Sequence, residues 1–155
     1  FFQQSKIPVI FFGSIFAISN GINFFLFRNV DKIEKIFGFK STIFLTSFIP
    51  GIFFLLMIIF LDPLIAIVGF FIINILIPLR DPLFVDYKNQ HISSHNRATT
   101  LSIISMFYSL LAAIMLPIFG FIAKISLNYA LLGLGIILVA NPILFKISEK
   151  DIIIK

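Results

Sequence analysis

Cysteine is missing from all 155 residues. That excludes structural disulfides, thiolate metal sites and a Cys nucleophile, while leaving the compartment open. Charge is nearly as scarce: Asp, Glu, Lys and Arg together make up 12% of the chain, against about a quarter in soluble domains. So few charges cannot build a water-facing surface. No Gly-rich phosphate loop, Ser-His-Asp order or H-E-x-x-H occurs, so the sequence offers no ATP-hydrolysis or protease chemistry. No short apolar region is followed by a soluble domain, which excludes a signal peptide. What is abundant is apolar. Hydrophobic residues reach 59%, 22 residues are Phe, and the mean hydropathy is +1.10. The net charge of +5 does not point to nucleic acid, because the basic residues sit in short gaps between apolar runs and form no basic face. The chain is expected to be an integral membrane protein whose first partner is the lipid bilayer.

A helix needs about 20 apolar residues to cross the hydrocarbon core. Five runs qualify, over residues 7–27, 41–61, 63–85, 98–125 and 127–145. Only helices or closed barrels satisfy the backbone in lipid, and runs this long without strict alternation are helices. The expected fold is therefore an all-α membrane protein, a polytopic transmembrane helix bundle forming one domain over 1–155. The chain has no starting Met and opens on the apolar pair Phe1-Phe2, so it reads as a fragment. Direction follows from the basic residues. Arg28, Lys32, Lys35, Lys40, Arg80, Lys88, Arg97, Lys146, Lys150 and Lys155 fall on one side, and only Lys6 and Lys124 on the other. Ten against two makes the 28–40 loop, the 88–97 loop and the C-terminus cytoplasmic, in the plasma membrane.

At one cytoplasmic junction the chain reads Arg80-Asp81-Pro82-Leu83, then Tyr87-Lys88-Asn89, then Arg97-Ala98-Thr99-Thr100-Leu101-Ser102, and later Pro117-Ile118-Phe119-Gly120. This order resembles the C-terminal half of major facilitator superfamily transporters. There, R-x-P and Y-x-N segments end helix 10, R-A-T-x-L-S opens helix 11 and P-x-x-G closes it. Glu34-Lys35-Ile36-Phe37-Gly38-Phe39-Lys40 looks like the turn between helices 8 and 9, and Gln3-Gln4 is similar to the outer end of helix 7. The resemblance covers nearly the whole chain, and R-A-T-x-L-S is its most specific part. It implies helices 8 to 12 plus the end of helix 7, a partial C-terminal six-helix half whose further partner is the missing N-terminal half of the same protein. The family is built from two six-helix halves, so this half alone is not expected to transport.

Few polar residues lie at membrane depth. In the first span, Gly13, Ala17 and Gly21 form a small-residue stripe for close packing. Asn20 and Asn23 lie three apart, and an amide in lipid needs a partner, so their face should look inward. Helix-to-helix hydrogen bonding and lining a substrate path are both open for them. Asn74 sits midway along the third span. Arg80 follows Pro63 by a distance that puts it about 25 Å from the outer face. Either it snorkels to the cytoplasmic boundary, or it projects inward near Asp81 or Asp86 to bind an anionic group. Pro78 and Pro82 bracket it and favour a bend. The second and fifth spans carry little polarity and are expected to face lipid without a chemical role. In the fourth span Ser102, Ser105, Ser109 and Ala112 form a second packing stripe, with Asn96 as N-cap. Arg97 opposes the helix dipole there, so it anchors the cytoplasmic end or pairs with Asp86 or Asp81 as a latch. His91 and His95 share a spacing that metal ligands use, but in a polar loop solvated histidines are the expected state and no metal site is assigned.

The function expected is secondary active transport of a small-molecule substrate by alternating access, with Asn20, Asn23, Asn74 and Arg80 as substrate-path candidates and Asp81, Asp86 and Arg97 as latch candidates. No catalytic residue and no cofactor is expected, and proton antiport, proton symport and uniport all stay open. The alternative is a membrane-embedded enzyme or a structural membrane subunit. An enzyme would need clustered carboxylates or His at one interface, and only Asp81, Asp86, His91 and His95 could serve.

Overall fold

The computed structural model describes residues 2, 5–60, 62–92 and 95–144, and among these every regular element is helical. Gln3-Gln4, Ser93-Ser94 and the C-terminal lysines lie outside the described residues. Five helical stretches are long and apolar enough to cross a membrane: Val9–Arg28, Phe39–Ile59, Pro63–Lys88, Arg97–Ile125 and Leu127–Leu144. The chain is a membrane-embedded bundle of apolar helices.

Helix α1 (Phe12–Arg28) begins behind a single 3-10 turn, Val9–Phe11, that follows the extended Pro8. It ends at Asn29, whose side-chain Nδ2 donates to Phe25 O at 2.9 Å and caps a carbonyl left open by the helix end. The segment expected as the 28–40 loop contains a helix, α2 (Val30–Phe37). Its four charged residues give it the look of a loop. Val30 and Ile33, three apart on one face, instead pack into an apolar cluster with Ile43, Leu79 and Leu83. Gly38 then turns the chain at φ +78°, ψ 151°, a backbone conformation essentially open only to glycine. Its carbonyl accepts from both the backbone N–H and the hydroxyl of Thr42.

Helix α3 (Phe39–Ile59) is the hub of the bundle, not the lipid-facing span expected. It packs against α2, α4 (Pro63–Leu76), α5 (Arg80–His91) and, most extensively, α7 (Leu127–Leu144). Thr42, Thr46, Ser47, Pro50 and Gly51 are all buried along it. In lipid, helices gain little from hiding apolar surface and associate through close packing and hydrogen bonds, so small residues mark the contact. Gly51 and Gly135 bring α3 and α7 together. A Cβ on Gly51 would lie 2.8 Å from Val139 Cγ2 and 2.9 Å from the Val139 backbone N. One on Gly135 would lie 2.8 Å from Leu55 Cδ2. The fifth span thus has a packing role that its low polarity concealed.

The third run, expected over 63–85 with a bend near Pro78 and Pro82, is two helices joined by a short turn. Asp62 caps α4, its Oδ1 accepting from Leu64 N at 2.7 Å, with Pro63 in the first turn. The helix stops at Leu76, residues 77–79 form a turn, and α5 resumes at Arg80. Pro78 has no N–H for the ladder, and Pro82 can give none to Pro78 O. Asp81 N takes that carbonyl instead at 3.0 Å, a tighter 3-10 bond.

Helix α6 (Arg97–Ile125) has no buried residue and lies mainly against α7, where a Cβ on Gly133 would meet the Phe119 ring at 3.1 Å. The two stripes expected as packing surfaces are exposed here. Gly13, Ala17 and Gly21 on α1, and Ser102, Ser105, Ser109 and Ala112 on α6, are exposed among the described residues. Small residues permit close packing, but which of them meet depends on the bundle geometry. Here it is Gly51, Gly69, Gly133 and Gly135.

Candidate functional site: the break in the third span

The break leaves a backbone carbonyl of an apolar, spanning-length stretch without its helical donor. In a continuous helix the carbonyl of Asn74 would accept from the N–H of residue 78, and Pro78 has none. Asn23 of α1 fills this deficit: its Nδ2 donates to Asn74 O at 2.9 Å. Asn74 turns its own Nδ2 back to Phe70 O at 3.0 Å. The structure therefore brings Asn23 and Asn74 together through a carbonyl that a proline freed, 51 positions away in sequence. The remaining acceptor of Asn23, Oδ1, is buried with no partner, and so is the hydroxyl of Ser19 one turn earlier on α1. Asn20 is not part of this contact. It is exposed on α1, on the same face as Ala17 and Gly21.

Arg80 opens α5 directly after the break. Its guanidinium turns back into the bundle: Nε donates to Ile77 O at 3.2 Å and Nη1 to Ser47 Oγ of α3 at 3.0 Å. Arg80 thereby satisfies one carbonyl of the turn and ties α5 to the buried polar stripe of α3. Ser47 was not singled out from sequence. The signal was present in Thr42, Thr46, Ser47, Pro50 and Gly51, which repeat at about one helical turn.

The charged residues expected at the latch lie further along. Asp81 and Asp86 are exposed on α5. Arg97 is exposed, its Nη2 donating to Ile92 O at 3.4 Å. A different contact links α5 to α6: Lys88 Nζ lies 5.1 Å from the centre of the Tyr108 ring, within cation–π range. Asn96 does precede α6, and its backbone carbonyl accepts from Thr100 N at 2.9 Å. Its side chain does not cap the helix. The backbone at φ −107°, ψ 6° is outside the extended region a cap requires, and Asn96 Oδ1 pairs with His95 Nδ1 instead. Among the described residues no three metal-ligating side chains gather.

Toward the end of the bundle where α1 and α4 begin, a cavity of about 490 Å³ adjoins the break. Phe12 and Phe16 of α1, Phe54 and Met57 of α3, and Phe70 and Asn74 of α4 form most of its wall. The rings touch one another edge to face, Phe16 on Phe70 at 4.7 Å and Phe2 on Phe12 at 5.2 Å between centroids. Asn74 thus belongs both to the interhelical contact and to the cavity.

Comparison of the chain with protein-family models, with curated proteins and with solved structures finds no match.

Proposed function

We propose that the chain is part of a secondary transporter of the facilitator type, the C-terminal half of a pair that rocks about a central site. The observation that carries this reading is the interrupted third span. A proline kink in a membrane helix frees carbonyls that neighbouring helices must satisfy, and transporters place their binding sites where spanning helices are interrupted. Here the break exposes a carbonyl, a neighbouring helix supplies the amide that satisfies it, and a cavity lies alongside. The Arg80-Asp81-Pro82 segment directly after the break and the R-A-T-x-L-S segment that opens α6 support the same reading through their resemblance to the family. In this reading Asn20, Asn23 and Asn74 border the substrate path, Arg80 holds the bent helix to α3, and Lys88 and Arg97 act where α5 meets α6. The test is uptake by proteoliposomes containing the protein with both halves, across a panel of small solutes, with and without a pH gradient. Saturable uptake of at least one solute is expected. Uptake no faster than into protein-free liposomes across the panel contradicts the reading.

A further inference from the structure

We infer that the cavity beside the break is a binding site for a neutral, multi-ring aromatic molecule carrying one hydrogen-bond donor. The inference deepens the transport reading and rests on it for the role of this molecule as cargo.

Three features define the guest. The first is size: about 490 Å³ falls within the range of pockets that hold drug-sized ligands. The second is the wall. Five of the lining side chains are Phe, drawn from α1, α3, α4 and the segment before them, with Met57, Ile73 and Leu131 completing it. Phe2 lies tilted against Phe70 at 5.1 Å while Phe16 meets the same ring edge-on. Rings so arranged offer edges and faces together, the geometry an aromatic guest prefers over flat stacking. The Met57 thioether adds a polarizable contact of the kind that favours aromatic edges. The third is polarity. No charged side chain lines the cavity among the described residues, so nothing on its wall would pair with a charged guest. Among the described residues Asn74 is the single polar one on the wall. One of its Nδ2 protons is held by Phe70 O, and the lone pairs of Oδ1 remain to accept from a guest. An acceptor on an otherwise apolar wall selects a molecule with an N–H or O–H and fixes its orientation.

The chain has no Trp and three Tyr, so an aromatic probe can be followed by its own fluorescence without indole background. Carbazole has three fused rings and one N–H; 9-methylcarbazole differs by replacing that donor with a methyl group. Both are titrated at equilibrium into the whole chain in lipid nanodiscs, with empty nanodiscs giving simple partition into lipid. Saturable one-to-one binding of carbazole is expected, about tenfold tighter than 9-methylcarbazole, the worth of one hydrogen bond. In Asn74→Leu, carbazole should weaken to the level of its methyl analogue while the analogue is unchanged. That variant keeps the Asn74 backbone carbonyl that Asn23 uses, so the interhelical contact survives it. Phe16→Leu should weaken both probes. Uptake equal to empty nanodiscs overturns the inference, and is also the result if a lipid acyl chain holds the cavity. Equal affinity for the two probes, or an unaltered ratio in Asn74→Leu, overturns it as well. Because binding is read without transport, a failure here leaves the uptake result standing, and a failed uptake assay leaves the binding constants standing.

Discussion

Asn23 and Pro78 should be energetically coupled, and the coupling has a sign and a size. Asn23→Leu removes a 2.9 Å bond to a carbonyl that has no ladder donor because residue 78 is proline. Interhelical side-chain bonds in membrane proteins average about 0.6 kcal/mol and reach about 1.7 kcal/mol. A carbonyl left without any donor in lipid belongs toward the upper part of that range, so about 1 to 1.5 kcal/mol is expected. The single variant understates this, because leucine also removes Asn23 Oδ1, which is buried and unpaired. A double-mutant cycle cancels that contribution. Pro78→Ala restores an N–H at residue 78, which lets Asn74 O rejoin a regular ladder and makes the Asn23 amide redundant. Asn23→Leu should therefore destabilise the wild type by about 1 kcal/mol more than it destabilises Pro78→Ala. The measurement is reversible unfolding of the four proteins in mixed micelles with increasing SDS, followed by helical circular dichroism. Additive effects within about 0.3 kcal/mol would refute the idea that Asn23 repairs the break.

Other substitutions probe the rest of the bundle. Gly51→Ala places a methyl group 2.9 Å from a backbone nitrogen and should cost about 1–3 kcal/mol in the same SDS titration. Gly21→Ala, with nothing within 4 Å, should be neutral or slightly stabilising. Gly38→Ala forces a side chain into the φ +78° turn and should cost about 1–3 kcal/mol, again read as a lowered SDS midpoint. Ser47→Ala and Arg80→Lys should each slow uptake at matched expression, and Arg80→Lys should cost less in a Ser47→Ala background, where the bond to Ser47 is already gone and only the one to Ile77 O remains to lose. Wild-type rates in both single variants would remove the α3–α5 tie from the mechanism.

The class of protein and the approximate extent of its five helices were legible because both follow from local quantities, apolar run length and the position of charges. Helix α2 was hidden by the same rule, since Asp31, Lys32, Glu34 and Lys35 read as a loop while Val30 and Ile33 carry the burial. The bend near Pro78 and Pro82 could be anticipated, and Asn23 and Asn74 could be marked as needing partners. Their partnership could not, because nothing local says which helix faces which across 51 positions. The glycines make the same point. Gly13 and Gly21 have the better sequence stripe, yet Gly51 and Gly135 make the close contact. Ser47 was given no chemical role because a hydroxyl in an apolar helix ordinarily bonds its own backbone, and only the fold brings Arg80 to it.

Alternating access can be tested without knowing the substrate, through Asn20. This residue lies about halfway along α1, an apolar helix of spanning length, and is exposed among the described residues. The chain contains no cysteine, so Asn20→Cys supplies a single thiol once any cysteine in the rest of the protein is replaced. A membrane-impermeant maleimide is added to cells from outside, and separately to inside-out vesicles, with the protein in its own membrane. If the face of Asn20 borders a path that opens in turn to each side, the thiol is labelled from both faces. Labelling from one face alone, or from neither, would contradict transport by alternating access through this site.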